Sequence, residues 1–302
     1  ADTEAAVEGE TLEGIVQVSD AAGDIEVRIA GLNLHPIKSC AGIAVPEALV
    51  IETGFEFDRA WMLVDEAGLL VTQRELPRMA LIQPTLKHHD MVLRAPGMLA
   101  LHIALDTVEQ PVQVTVWNDT VKAYDMGDLA AQWFSDFLGP YRGGKLRLAR
   151  FDPEQRRLSD PRWTGPIEAE NAFADAFPLL VTSTAGLDEF NRRLAATGHA
   201  PVTMQRFRPN IVLDGLDAHG EDLLDDIVFA APEGPVRIKM VKPCSRCSIP
   251  DVDPATAETG HAVGAALASY RADARLDGAL TFGMNAVILE GIYFRHSAGQ
   301  TV

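Results

Sequence analysis

The sequence predicts a predominantly β fold of the α+β class, with barrel-like β architecture and a few peripheral helices. Three observations lead to this prediction. Short runs rich in Val, Ile and Leu recur along the 302 residues, and turn residues separate them, which is typical of strands. Few segments show the spacing of an amphipathic helix. No glycine-rich phosphate loop follows a strand, so the pattern favours barrel-like sheets over a parallel nucleotide-binding sheet.

The first half of the chain, from residue 27 to about residue 150, is predicted to be mainly β. Apolar residues between 129 and 138 fall on one face of a predicted helix, which Gly139 and Pro140 are expected to end. The turn residues 66–68 predict a hairpin. The apolar runs of this half predict strands at residues 27–34, 49–51, 60–64, 69–72, 112–117 and 146–151.

The second half, residues 151–302, is predicted to mix strands with helices. Residues 151–164 are basic and polar and contain two prolines, so they are the predicted connection between the halves. An amphipathic helix is predicted around Phe190, and Gly198 is expected to end it. Strands are predicted at residues 178–182, 210–213, 227–230, 236–241 and 285–290.

Residues 1–26 are predicted to form an acidic N-terminal extension, because they contain eight acidic side chains and no basic one. Within them, residues 14–18 have the composition of a short strand. The predicted organisation is therefore an extension at 1–26, a first domain at 27–150 and a second domain at 151–302.

Composition narrows the classes of function. The formal net charge of −17 disfavours binding to nucleic acid or to anionic lipid. No apolar run reaches the roughly 18 residues that span a bilayer, and the start of the chain does not resemble a signal peptide. Three cysteines are too few for a disulfide framework. We therefore expect a cytoplasmic, monomeric protein without a membrane or nucleic-acid partner.

The segment from Val241 to Pro254 contains two of the three cysteines, Cys244 and Cys247. Basic side chains at Lys242 and Arg246 flank them, and such neighbours favour the thiolate form that binds soft metals or attacks sulfur. Three kinds of site are compatible with the pair: structural zinc, a redox dithiol, or one thiolate that binds a soft metal. Two buried thiols without a further role are a fourth possibility.

The surrounding residues weaken two of these alternatives. A zinc site needs further Cys or His ligands, whereas His261 has no second His nearby and Cys40 is distant in sequence. A thioredoxin-like pair lies at the start of a helix, and Pro250 and Pro254 make a helix improbable here. The spacing of the cysteines alone does not distinguish a thiolate that binds a soft metal from two buried thiols without a further role.

Several stretches resemble one known family. Residues 241–247, Val-Lys-Pro-Cys-Ser-Arg-Cys, with Val-Asp-Pro at 252–254, resemble the cysteine loop of MOSC-domain proteins. The resemblance is greatest to the mitochondrial amidoxime reducing components and their bacterial relatives. Further stretches match in the same order along the chain, at residues 35–42, 57–64, 71–78, 206–212 and 282–285.

The resemblance implies an N-terminal β-barrel-like domain followed by a MOSC β-barrel domain, which together bind a molybdenum cofactor, Mo-molybdopterin. It implies that Cys247 is the molybdenum ligand and the catalytic residue. It also implies that a further set of residues binds the cofactor, the first four holding its pterin and phosphate end: Lys38, Ser39, Arg59, Arg208, Asp175, Cys244, Ser245, Arg246 and Asn285.

By resemblance, the chain is an oxidoreductase that removes oxygen from N-hydroxylated substrates such as amidoximes. No cysteine follows Cys247, so a fused plant-type ferredoxin is not expected, and electrons would come from a separate ferredoxin, flavoprotein or cytochrome. A basic patch at Arg156, Arg157 and Arg162 is the predicted docking surface for that donor.

A second function remains open by resemblance to the MOSC modules of molybdenum cofactor sulfurases. Cys247 or Cys244 would then carry a persulfide, and the protein would be a cofactor carrier or a sulfur-transfer protein. Pyridoxal phosphate binding is a family-level association of the sulfurases, whose large desulfurase domain this chain lacks. One departure concerns the substrate side: an Asp-Thr-Ser-Pro loop of the family is here Asp175-Ala176-Phe177-Pro178, which loses both hydroxyls.

Overall fold

The structure is a computed structural model that describes residues 15–20, 23–231 and 234–292 of the chain. It confirms the predominantly β fold of the α+β class. In chain order, the first half contains these elements: β1 (Ile15–Asp20), β2 (Gly23–Leu34), β3 (Ile43–Val45), β4 (Val50–Ile51), β5 (Gly54–Phe55), β6 (Trp61–Val64), β7 (Gln83–Leu86), β8 (Asp90–Arg94), β9 (Leu101–Ala104), β10 (Pro111–Val116), β11 (Asp119–Asp125), α1 (Asp128–Leu138) and β12 (Arg147–Phe151).

The second half of the chain continues the pattern with longer strands. Its elements are α2 (Pro161–Thr164), β13 (Leu179–Ser183), α3 (Thr184–Ala196), β14 (Ile211–Asp214), β15 (Leu224–Ala231), β16 (Gly234–Ser245), α4 (Ala262–Ala268), β17 (Ala272–Asp273) and β18 (Ala279–Glu290). Short 3-10 helices occur at Pro77–Leu81, Met204–Arg206, Gly220–Leu223, Ile249–Asp251 and Ala274–Leu276.

The largest sheet has nine strands, and it combines both halves of the chain. Its order is β1-β15-β16-β18-β13-β14-β2-β3, and β17 pairs with β18. Strand β1 also pairs with β2, which lies near the opposite end of this strand order. The apolar core of the sheet includes Phe55, Ile211, Ile227, Phe229 and Ile238. Strands β1 and β2 therefore pair with strands of the second half, and the division at residue 150 stays a prediction.

The rest of the first half forms smaller antiparallel sheets. One has the order β10-β11-β12-β6, another has the order β7-β8-β9, and β4 pairs with β5. Helix α1 contributes Trp133 and Phe134 to a core that also contains Trp61 and Leu148. The loops that hold Arg59 and Trp117 are connected to these sheets, whereas Lys38 and Ser39 follow β2 of the large sheet.

Helices and strands differ from the predictions in identifiable places. Both predicted helices are present: α1 ends at Gly139, where φ is 85°, and α3 begins at Ser183, whose hydroxyl accepts from the backbone N–H of Gly186. The strand predicted at residues 69–72 is wrong, since Leu69 and Leu70 form only isolated bridges. Asp65 Oδ1 instead accepts from the backbone N–H of Leu69 at 3.0 Å.

Other elements were not predicted. Strands β7 and β9 have only four residues each, and β8 and β11 contain charged residues, so the strand signal of all four is weak in the sequence. The strand considered at residues 14–18 appears as β1, and residues 1–14 of the predicted extension lie outside the described residues. Within the part of the chain that the structure describes, no helix has the length and apolar character needed to cross a bilayer.

Candidate functional site

A cavity of about 510 Å³ lies between loops of the first half and strands of the second. Loops after β2 and before β6 meet the end of β16 and the middle of β18 there. All of the residues that the resemblance predicted line this one cavity: Lys38, Ser39, Arg59, Asp175, Arg208, Cys244, Ser245, Arg246, Cys247 and Asn285. Their individual roles stay predictions, whereas their convergence is a property of the fold.

Lys38 is a buried cation at the base of the cavity. Its ammonium donates to the backbone oxygen of Phe173 at 2.8 Å and to Asp175 Oδ1 at 2.5 Å. Burial lowers the pKa of Lys38, and the Asp175 carboxylate acts in the opposite direction. Partial desolvation would raise the pKa of Asp175, but the Lys38 ammonium and a hydrogen bond from Trp117 outweigh it and lower that pKa. Asp175 is therefore ionised at neutral pH and holds Lys38 in place.

Arg59 joins the two halves. Its guanidinium donates to Asp58 Oδ2 at 2.7 Å and, through Nη2, to the backbone oxygen of Arg208 at 3.1 Å. Burial would raise the pKa of the Asp58 carboxyl, but Arg59 and His35 lower it to about 2. Burial, with Arg59 and Arg208 nearby, lowers the pKa of His35 to about 3, so the imidazole is neutral.

Arg208 is a partly buried cation with an incomplete set of partners. Its Nη1 donates to the backbone oxygen of Cys40 at 2.6 Å, while the buried Nη2 has no hydrogen-bond partner in the structure. Burial and the neighbouring Arg59 lower the pKa of Arg208 to about 9, so the group still carries its charge at neutral pH. A buried guanidinium nitrogen without an acceptor is unfavourable, and an anionic ligand would supply one.

The cysteine loop forms another wall. Cys244 is the second-to-last residue of β16. Cys247 lies just after the strand and is exposed. Arg246 Nη1 donates to Cys244 Sγ at 3.1 Å, and its Nη2 donates to the backbone oxygen of Phe207 at 2.8 Å. The third cysteine, Cys40, is fully buried, and burial raises the pKa of its thiol to about 12. Cys40 is thus a thiol of the apolar core.

Ser245 and Asn285 lie on adjacent strands of the large sheet. Ser245 pairs with Thr281, and Asn285 pairs with Lys242 and with Leu180 of β13. Ser39 is buried, and its backbone oxygen accepts from Gln73 Nε2 at 2.9 Å. The sheet and the loop after β2 thus hold these polar residues at fixed positions around the cavity.

Several residues of the cavity wall have left-handed backbone conformations. The φ angle is 70° at Ser39, 46° at Arg59, 53° at Trp117 and 59° at Arg208. Non-glycine residues rarely adopt such angles, which persist only where surrounding contacts hold them. Strain of this kind concentrates at functional sites, so the backbone supports the same location as the side chains.

The cavity is basic although the protein is acidic. Its lining contains one carboxylate, Asp175, and several cations: Lys38, Arg59, Arg74, Arg208, Lys242 and Arg246. The chain as a whole has a formal net charge of −17. The arrangement therefore attracts an anionic ligand to one place on a protein that repels anions elsewhere.

Some lining residues were not predicted as site residues: Thr72, Arg74, Trp117, Phe207 and Asn210. All except Trp117 fall in stretches that carry the resemblance, so those motifs contained the signal. Trp117 lies in the two-residue turn between β10 and β11, and only its solitary position in an otherwise polar turn could have indicated it.

Arg156, Arg157 and Arg162, the predicted basic patch, do not form one exposed cationic surface, and docking of the donor there stays a prediction. Arg157 is 7% exposed, and its guanidinium donates to Asp119 and to backbone oxygens of the loop that carries Asp175. Arg156 pairs with Glu168 and Glu170, and Arg162 pairs with Asp160. The charges of all three are therefore neutralised locally.

Comparisons with known proteins identify the family of this chain. Residues 26–140 match the family model described as MOSC N-terminal beta barrel domain, and residues 168–302 match the model described as MOSC domain. The chain belongs to the MOSC family. The membership that the ordered motifs predicted is thereby confirmed. These matches give no support for pyridoxal phosphate binding, and the cytoplasmic location stays a prediction.

Named relatives of this MOSC protein share about a third of its residues. Mitochondrial amidoxime-reducing component 1 of Mus musculus is 34% identical over 76% of this chain and 66% of its own length. Mitochondrial amidoxime reducing component 2 of Rattus norvegicus is 34% identical over 74% of this chain and 66% of its own length. Mitochondrial amidoxime-reducing component 1 of Homo sapiens is 33% identical over 76% of this chain and 67% of its own length. The chain therefore spans just under two thirds of the first two relatives.

A solved structure gives a weaker match. A solution structure of a Bordetella bronchiseptica protein is 29% identical over 37% of this chain and 92% of its own, with a TM-score of 0.29. That TM-score is too low to bear on the fold.

Proposed function

We propose that this MOSC protein is a molybdenum-cofactor oxidoreductase that reduces N-hydroxylated compounds. The observation that carries the proposal is the convergence of the motif residues on one basic cavity in an acidic protein. Relatives named for amidoxime reduction support the same class of reaction. The electron donor is proposed to be a separate protein, and the protein is proposed to act as a monomer.

The residues of the cavity fit such a cofactor. Its phosphate needs charge-assisted donors, and Arg208 Nη2 is a buried donor without a partner. Its metal needs a soft ligand, and Cys247 is exposed at the cavity. Among the described residues, no group of three or more His, Cys, Asp or Glu could hold a metal by itself. A metal at this cavity would therefore depend on ligands that arrive with the cofactor.

Each residue then has a definite task. When bound, the cofactor supplies two-electron oxygen-atom transfer, which the protein positions and tunes. Arg208 and Lys38 bind its anionic end, and Cys247 supplies the protein ligand to molybdenum. In the net reaction the N–O bond breaks, two electrons arrive from the donor and two protons from solvent, and the oxygen leaves as water.

The first test is the molybdenum and pterin content of the purified protein and of Cys247→Ala. We expect the wild type to carry both, and to reduce an N-hydroxylated compound with an artificial donor. We expect Cys247→Ala to lose most molybdenum and this activity, because the thiolate ligand is gone. Cys244→Ala is the matched control, since it removes the other thiol of the same cavity.

Two outcomes would contradict the proposal. Full molybdenum occupancy in Cys247→Ala would remove Cys247 as the ligand. A wild type that carries molybdenum and pterin, yet gives no Mo(V) signal and reduces no N-hydroxylated compound, would remove the reaction.

A second function has one observation in its favour. The Arg246 guanidinium lies 3.1 Å from Cys244 Sγ, which is suited to stabilising an anionic sulfur. A cofactor carrier or sulfur-transfer protein would carry a persulfide on a cysteine, and its outer sulfur is anionic. Mass spectrometry that finds a labile extra sulfur on the metal-free chain, lost in Cys244→Ala or Cys247→Ala, would favour this function over the first.

A further inference from the structure

Trp117 is an aromatic side chain at the cavity that no motif accounts for. It occupies the tip of the hairpin between β10 and β11, where Val116 pairs with Asp119 and leaves a two-residue turn. Its φ of 53° lies in the left-handed region, where glycine would be favoured. The side chain is nevertheless 43% exposed and lines the cavity. A large apolar ring at a strained, exposed turn is unfavourable for folding alone.

Two contacts orient the ring. The indole N–H donates to Asp175 Oδ1 at 3.1 Å, and the Arg74 guanidinium lies over the ring, 4.6 Å from its centroid. A guanidinium over an indole is a favourable cation–π arrangement. The ring therefore has a defined direction, although much of its surface is open.

The hairpin tip is also attached to the loop that carries Asp175. Asp119, two residues after Trp117, accepts from Arg157 Nε at 2.7 Å. The same guanidinium donates to the backbone oxygens of Ala172, Ala174 and Asp175, at 2.9, 2.5 and 2.9 Å. Arg157 thus fixes Trp117 relative to Asp175, and the two form one rigid part of the wall.

The chemistry of this part differs from the rest of the cavity. Beside Asp175 the lining includes three apolar residues, Ala174, Ala176 and Phe177, and Lys38 and Arg74 are the cations that contact this part. Asp175 is the single carboxylate among the lining residues, and its side chain is 70% exposed. Both of its side-chain hydrogen bonds go to Oδ1, so among the described residues Oδ2 has no hydrogen bond.

We infer that Trp117 and Asp175 form the specificity wall for the substrate. The class they fit is a planar N-hydroxyamidine that bears an aromatic group. The aromatic part packs on Trp117, and the amino group of the amidine donates to Asp175 Oδ2. This inference rests on the proposed function, since it assigns the organic substrate of that same cavity.

The test compares benzamidoxime with acetamidoxime, which share the N-hydroxyamidine group and differ in the aromatic ring. Binding to the oxidised holoprotein, without a donor, is measured by calorimetry, and molybdenum content is measured for each variant. We expect the wild type to prefer benzamidoxime. In Trp117→Ala, we expect this preference to fall on the order of 5- to 10-fold, the effect of one aromatic contact.

Trp117→Phe separates the ring from the N–H group. It keeps an aromatic surface and the backbone preferences of a non-glycine residue, but it cannot donate to Asp175. We expect it to keep the preference to within about twofold. Leu129→Ala is the control for removal of an exposed apolar side chain, since Leu129 is 76% exposed on α1 and does not line the cavity.

Several results would overturn the assignment of Trp117. They are a wild type without preference for benzamidoxime, an unchanged preference in Trp117→Ala, and equal losses in the Ala and Phe variants. The last would mean that only the N–H group matters. A turnover assay with reduced methyl viologen is run alongside. If the wild type binds benzamidoxime but reduces neither compound, the proposed reaction fails while the binding results still decide the role of Trp117.

Discussion

Two regions of the molecule contain a buried charged group without its full set of partners, and the groups differ in how their charge can be neutralised. In the cavity, the buried Nη2 of Arg208 has no hydrogen bond. Beneath α3, Glu221 is fully buried, and neither of its carboxyl oxygens has a hydrogen-bond partner in the structure. A Cβ added at Gly186 would lie near Ser183, His219 and Glu221, which shows how closely this second region is packed.

The difference follows from the chemistry of the two groups. An arginine does not lose its proton near neutral pH, so a buried guanidinium needs an anion. A glutamate can bind a proton instead, and burial raises the pKa of Glu221 to about 7, although the Ser183 hydroxyl acts in the opposite direction. An unsatisfied buried arginine beside a cavity therefore indicates a ligand, whereas an enclosed carboxyl indicates protonation.

The largest effect is expected from Arg208→Met, which removes the unsatisfied cation. Loss of charge-assisted bonds of about 1.5–3 kcal/mol should weaken cofactor binding by roughly 10- to 100-fold. The cofactor-free variant should be at least as stable as the cofactor-free wild type, because a buried charge without a counterion is gone. Cofactor content and thermal denaturation of the cofactor-free proteins measure the two effects.

Arg28→Met is the control for the change in net charge, because the Arg28 side chain is 67% exposed and pairs with Asp214 away from the cavity. If Arg208→Met retains the cofactor and loses stability in its absence, Arg208 is a structural cation. The comparison with Glu221 would then no longer distinguish a ligand site from an enclosed group.

How much of this could be predicted from the sequence depends on the range of the contacts. Cys247, Lys38 and Arg208 belong to local motifs, and the resemblance of those motifs to one family implied that the three residues meet. Contacts between distant segments were not predictable in this way. Arg157 was expected at the surface, yet it is buried because Asp119 and the 172–175 loop surround it.

Helices α1 and α3 were predictable because their apolar spacing and end residues are local signals. Strand β1 and the sheet β7-β8-β9 were harder, because their stability comes from pairing with distant or weakly apolar strands. Nothing in the sequence marks Trp117 or Glu221, since the hairpin register and the packing under α3 give them their surroundings.

The next largest effect is expected from Arg157→Ala, on the cavity side of the comparison. Its guanidinium satisfies three backbone oxygens and Asp119, so its loss leaves buried acceptors without donors. We expect the free energy of unfolding to fall by about 3 kcal/mol, with a parallel loss of selectivity for benzamidoxime. Chemical denaturation and the two-substrate binding assay measure these changes.

The neighbouring Arg156 provides the matched control. It is exposed and makes only surface ion pairs with Glu168 and Glu170, so Arg156→Ala should leave stability and selectivity nearly unchanged. Equal effects of the two substitutions would mean that the 172–175 loop does not depend on Arg157, and that Trp117 is not held as inferred.

The smallest effect is expected from Glu221→Gln, on the enclosed side. The folded pKa of Glu221, about 7, is above its ordinary value of 4.5. A raised carboxyl pKa contributes stability at low pH that is lost as the pH rises from about 4.5 to 7. Gln resembles the protonated carboxyl and does not titrate. The variant should therefore gain stability relative to the wild type across this window, and the gain should be almost complete by pH 8.

Two buried histidines change the stability with pH in the opposite direction to Glu221. The difference in free energy of unfolding between variant and wild type isolates the contribution of Glu221. Burial lowers the pKa of His219 to about 4 and that of His35 to about 3, so their contributions to stability rise with pH over the same range. Both histidines are present in both proteins and cancel in the difference. Urea denaturation at pH 5 and pH 8 measures it. A constant difference between the two pH values would mean that Glu221 does not take up a proton in this window. The enclosed carboxyl would then be ionised like the cavity cations, and it too would need a counterion.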